Sequence, residues 1–71
     1  MELNQFQQAF GTRLRTLRKQ KGISLLQLSV EAGMSEGYLS KLENGKINAT
    51  LDVVRRLSLT LNVTAKEFFN F

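Results

Sequence analysis

The chain is 71 residues long, room for one small domain with a thin core. It holds no Cys, His or Trp, which excludes disulfides, argues against a zinc site and removes the commonest nucleophiles and general bases, so neither enzyme activity nor a cofactor is expected. Ten Lys and Arg against six Asp and Glu give a net charge of +4 and a pI near 10.0, and point to an anionic partner, nucleic acid or a membrane surface.

The basic residues are unevenly spread. Arg13, Arg15, Arg18, Lys19 and Lys21 crowd one stretch, and no acid lies between Glu2 and Glu31. No apolar run exceeds two residues, so neither a transmembrane span nor a signal-peptide core is expected, and the default compartment is the cytoplasm. Proline is absent, and the glycines, Gly11 included, are read as the main punctuation of a chain whose periodicity is helical throughout.

The first helix is expected from about Asn4 to Lys21. Phe6, Phe10, Leu14 and Leu17 recur at helical spacing and form one apolar stripe. Gly22 suits the left-handed residue that ends a helix. The second helix opens at Ser24, which with Gln27 has capping-box spacing, and Ile23 and Leu28 take the staple positions. It ends near Ala32, before Gly33. The third opens at Ser35, with Met34 and Leu39 as its staple, and stops at Asn44-Gly45. Thr50 caps a fourth helix with Asp52 in its first turn, where negative charge suits the dipole. Its inner stripe is Leu51, Val54, Leu57, Ser58 and Leu61, and Asn62 ends it. A short fifth helix starts at Thr64, with Glu67 completing a second capping box.

The sharpest functional signal is the pair of short helices around Gly33. Two helices joined by a tight, glycine-containing turn fit a DNA-binding helix-turn-helix, whose second helix enters the major groove. Met34 should lock the interhelical angle, and small Ser29 should let the helices approach closely.

From Gly22-Ile23-Ser24 through Leu28, Ala32-Gly33-Met34-Ser35, and Tyr38-Leu39-Ser40-Lys41-Leu42-Glu43-Asn44-Gly45-Lys46, the chain resembles the Cro/repressor-type helix-turn-helix family. The match continues to Leu61-Asn62-Val63 and Phe68-Phe69 and covers roughly residues 11–69. The compact size and aromatic C-terminus are similar to those of small phage repressors and restriction–modification controller proteins. The resemblance implies an all-α, five-helix, lambda-repressor-like domain over residues 1–71, with the helix-turn-helix at about 24–44 and a dimerisation helix at about 64–70. It also implies an Arg18–Glu43 pair bracing the first helix against the third. The family's usual glutamine early in the second helix is Leu25 here, its alanine is Ser29, and its proline before the fourth helix is Ala49.

The expected base-reading residues are Glu36, Gly37, Tyr38, Ser40 and Lys41, on the outer face and N-terminal end of the third helix. The expected phosphate contacts are Ser24, Asn44, Lys46 and Asn48, with only a minority of the first helix's cations joining them. Phe68 should fill the core. Phe69 and Phe71, with Leu59, are left for a dimer surface. The expected function is a sequence-specific regulator of transcription, binding a palindromic operator as a homodimer and either excluding or contacting RNA polymerase. Two rivals stand beside it: a protein–protein module of the same fold, antitoxin-like or the partner of another regulator, and a basic amphipathic protein on a membrane surface.

Overall fold

A computed structural model describes residues 1–71. Four α-helices follow in order: α1 (Leu3–Gln20), α2 (Leu25–Ala32), α3 (Glu36–Glu43) and α4 (Leu51–Leu61). A 3-10 segment, Ala65–Phe69, closes the chain. There are no strands, and no helix is long and apolar enough to cross a membrane.

The helices begin and end where local chemistry says they should. The Ser24 hydroxyl accepts from the Gln27 amide at 3.0 Å, and the Gln27 side-chain oxygen accepts from the Ser24 amide at 3.1 Å. Ser35 and Thr50 cap α3 and α4 through the amides of Tyr38 and Val53, at 3.0 and 3.1 Å. Each cap satisfies an amide left free at a helix start. At the other ends, Gly22, Gly33, Gly45 and Asn62 adopt the left-handed conformation. The next residue then donates back five positions: Ile23 to Arg18, Met34 to Ser29, Lys46 to Lys41 and Val63 to Ser58.

Phe10, Leu14 and Leu17 of α1 pack with Leu28, Leu39, Leu42, Val54, Leu57, Leu61 and Phe68 in one core. Ser29 is buried and donates to the Leu26 carbonyl at 2.7 Å. Met34 and Leu25 lean partly buried against the same core.

Several expectations fail. Phe6 and Leu51 carry the right spacing but are 43% and 89% exposed. Leu51 is the first residue of α4, and a helical side chain covers the turn before its own Cα, which here is loop. Gly11 punctuates nothing. It lies inside α1, buried, and a Cβ there would strike the Leu42 and Glu43 carbonyl oxygens, so it is the contact point of the α1 and α3 backbones. The fifth element is not an α-helix, so the chain has four. Thr64 makes no capping bond, and Glu67 turns to Arg13 instead of completing a box. A five-residue segment gains too few α-type bonds to offset the cost of nucleation and settles as 3-10.

Candidate nucleic-acid interface

α3 is locked from within. Leu39 and Leu42 are fully buried, and Gly11 lets α1 approach the carbonyls at its C-terminal end. Glu43, on the last turn, is also buried, which would be costly for an unpaired carboxylate. Arg18 pairs with it through a two-point fork, Nε to Oε2 at 2.7 Å and Nη2 to Oε1 at 3.1 Å. Donating to the Glu43 carboxylate raises the Arg18 pKa above its ordinary value. Arg18 Nη1 also donates to the Ile23 carbonyl at 3.0 Å, so one side chain fastens α1, the turn before α2, and α3. The implied Arg18–Glu43 brace is present.

The outer face of α3 is free. Glu36, Gly37 and Lys41 are exposed, and neither Glu36 nor Lys41 forms an ion pair. Tyr38 and Ser40 are half-buried, Tyr38 leaning on the core's edge. Nothing lies within 4 Å of where a Gly37 Cβ would sit, and its backbone is ordinary helix. Packing therefore does not ask for glycine there, although glycine weakens a helix by about 1 kcal/mol relative to alanine.

The expected phosphate contacts lie at two places. Ser24 caps the start of α2, where its hydroxyl already accepts from Gln27. Asn44, Lys46 and Asn48 follow α3 and are exposed. Lys46 has no ion pair. Asn44 is engaged: its Nδ2 donates to the Ser40 carbonyl at 2.8 Å, and its Oδ1 accepts from Arg15 Nη2 at 3.0 Å. Asn48 accepts from the Gln7 side chain of α1.

Three of the crowded cations prove to be internal braces. Beside Arg18, Arg15 Nε reaches Glu43 at 3.3 Å, and Arg13 donates to the Glu67 carbonyl and carboxylate at 2.8 and 3.2 Å. Only Lys19 and Lys21 of that stretch stay unpaired. Sequence reasoning missed the partners of Arg13 and Arg15.

At the far end, Phe68 is fully buried while Phe69 and Phe71 are 42% and 52% exposed. Phe6 joins them, with ring centroids 6.0 Å from Phe69 and 5.4 Å from Phe71. A shallow apolar groove runs beside them, lined by Phe6, Phe10, Ile47, Leu51, Val54 and Phe69. Leu59 is exposed on the face of α4 opposite the buried Leu57 and Leu61 and does not line this groove. Phe69 and Phe71 are therefore brought together, and Leu59 is not.

Two short helices held at a tight turn, one clamped inside and free outside, define a helix-turn-helix. Residues 14–68 match the family profile described as Helix-turn-helix, and the chain belongs to that family of DNA-binding transcription regulators. It is 43% identical over 61 residues to the HTH-type transcriptional regulator SlrR of Bacillus subtilis, covering 84% of this chain and 40% of that protein. It is 32% identical over 69 residues to the control protein C.MunI of a Mycoplasma species, covering 96% of this chain and 93% of that one. The crystal structure of the restriction–modification controller protein C.AhdI from Aeromonas hydrophila superposes with a TM-score of 0.85 at 34% identity, covering 87% of this chain and 94% of that one. Against SlrR the chain spans less than half the relative's length; against the two controller proteins it spans nearly all of it.

Proposed function

We propose that this protein is a sequence-specific regulator of transcription that binds a palindromic operator in double-stranded DNA as a homodimer, in the cytoplasm. The observation that carries this reading is the asymmetry of α3: its inner face is buried and ion-paired, while Glu36, Gly37 and Lys41 stand free outside. In the major groove Lys41 would donate to guanine O6 and N7, and Glu36 would accept from cytosine N4. Ser40 suits either edge, Tyr38 a thymine methyl or a phosphate, and Gly37 leaves the backbone open to close approach. Ser24, Asn44, Lys46 and Asn48 would hold phosphates and set the register.

One recognition helix covers only a few base pairs, so useful specificity asks for two half-sites about 34–36 Å apart. The Phe69 and Phe71 patch is the apolar surface proposed to pair with its copy, since a two-fold interface must be self-complementary. Leu59 stands apart from it. Regulation would follow from occupancy, with the dimer either shutting out RNA polymerase or touching it.

Selection of bound duplexes from a random pool tests the reading. A palindromic consensus is the expected result, and recovery of unselected sequence contradicts it. Replacing both Phe69 and Phe71 with Ser should leave helical circular dichroism intact, give a monomer in sedimentation equilibrium and cut operator affinity by orders of magnitude. An unfolded double variant would assign the rings to the core.

A further inference from the structure

Glu43 has one more cation than it needs. Arg18 alone binds both of its carboxylate oxygens, at 2.7 and 3.1 Å, in the fork geometry of a complete pair. Yet Arg15 adds a second guanidinium at 3.3 Å from Oε1. No other acid balances it, so it sits beside Arg18 at the cost of like-charge repulsion. Arg18 is 12% exposed, as a buried brace should be, but Arg15 is 41% exposed.

The remaining bonds of Arg15 lead to the end of the recognition helix. Its Nη2 donates to Asn44 Oδ1 at 3.0 Å, and Asn44 Nδ2 donates to the Ser40 carbonyl at 2.8 Å. Arg15 Nη1 has no protein acceptor. Lys46, unpaired and exposed, follows two residues after Asn44 in the chain. A surplus guanidinium, partly exposed and with free N–H groups, is a site for an oxyanion.

We propose that Arg15 binds a backbone phosphate of duplex DNA beside the C-terminal end of α3, and that the chain phosphate–Arg15–Asn44–Ser40 fastens that phosphate to the recognition helix. The phosphate supplies the negative charge that Glu43 cannot, and the planar fork suits its oxygens better than an ammonium would. The Asn44 carboxamide is occupied by Arg15 and Ser40, so Asn44 acts on the phosphate chiefly by holding Arg15. The inference rests on the reading of α3 as the DNA-binding helix. It adds a contact that sits on α1, outside the helix-turn-helix.

The test uses a short random-sequence duplex, because a phosphate contact is indifferent to base order. Affinity is measured against salt for the wild-type protein, Arg15→Gln and Arg15→Lys. Losing one phosphate contact should flatten the log–log slope by about 0.9 for each bound protomer and weaken binding to every sequence alike. Arg15→Lys should keep the slope. An Arg15→Gln variant with the wild-type slope and a lower melting temperature would show a structural brace only and overturn the proposal. A second readout needs no variant: the Arg15 Nε–Hε resonance of wild-type protein should shift as duplex is added at constant ionic strength. An unmoved resonance overturns the proposal even if Arg15→Gln does not fold. Wild-type protein that binds no duplex would defeat the DNA-binding reading and this contact with it. Wild-type binding with an unchanged Arg15→Gln slope would defeat this contact alone.

Discussion

The two sides of α3 treat charge in opposite ways. Inside, Glu43 is buried and held by Arg18 and Arg15; outside, Glu36 and Lys41 stand a few residues away with no partner. The same division runs through the molecule. Arg13, Arg15, Arg18, Arg55 and Arg56 each form an ion pair, and Lys19, Lys21, Lys41, Lys46 and Lys66 form none. Chemistry explains the sorting. A guanidinium presents a rigid fork that matches a carboxylate and tolerates partial burial, whereas an ammonium is a compact, strongly hydrated charge on a flexible stem. Arg13, Arg15 and Arg18 tie α1 to other segments while the lysines stay unpaired, and the proposed phosphate contact would give Arg15 both roles.

Breaking the inner side should have the largest effect. Glu43→Ala leaves Arg18 beside a buried void with no counter-charge, and should cost about 3–5 kcal/mol in urea unfolding. A loss below about 1 kcal/mol would mean that water replaces the carboxylate and that the clamp is not holding α3.

Changes on or beside the outer side should cost no more than a few tenths of a kcal/mol in stability and act mainly on binding. Lys46→Ala should unfold within about 0.5 kcal/mol of wild type, the usual range for surface substitutions. It should weaken all duplexes by a similar factor and flatten the salt dependence, as read by fluorescence anisotropy at several salt concentrations. Gly37→Ala sharpens the contrast further. With open space around its Cβ, it should stabilise the fold by about 0.5–1 kcal/mol and at the same time reduce DNA affinity. If affinity is unchanged, close backbone approach at position 37 is not used.

The smallest effect belongs to an exposed cluster on α4, where Arg55 and Arg56 flank Asp52. The hydrogen bond from Arg55, helped by Arg56, holds the Asp52 carboxyl below its ordinary value. A depressed carboxyl contributes stability above its unfolded pKa of 3.8 and loses it as pH falls through the lower folded value. Asp52→Asn should therefore lower the melting temperature slightly at neutral pH, with the difference disappearing in strong acid. High salt should shrink it as well.

What was legible in the chain was what is local. Ser24 with Gln27, Ser35, Thr50, Gly22, Gly33, Gly45 and Asn62 mark helix ends through bonds that span only a few residues, and all of them form. Spacing showed which side of a helix is apolar, but not whether anything covers it, hence the exposed Phe6 and Leu51. The role of Gly11 depends on where α3 lies and has no local signature. Arg15 and Arg13 meet partners 28 and 54 residues away, so composition alone made them look like free positive charge. The Arg18 partner, 25 residues away, is equally non-local and is legible only through the resemblance to a known family. Thr64 and Glu67 have capping-box spacing, yet the short segment they begin gives Arg13 a better claim on Glu67.

If the free outer face of α3 reads bases, as proposed, the loss of Lys41 shows it most directly. Duplexes selected from one random pool by wild-type protein and by Lys41→Ala can be compared position by position. Loss of preference at one position in each half-site, with the others retained and a cost of about 1–3 kcal/mol on the wild-type consensus, is the predicted result. An unchanged consensus bound more weakly at every sequence would contradict it and make Lys41 one more phosphate contact.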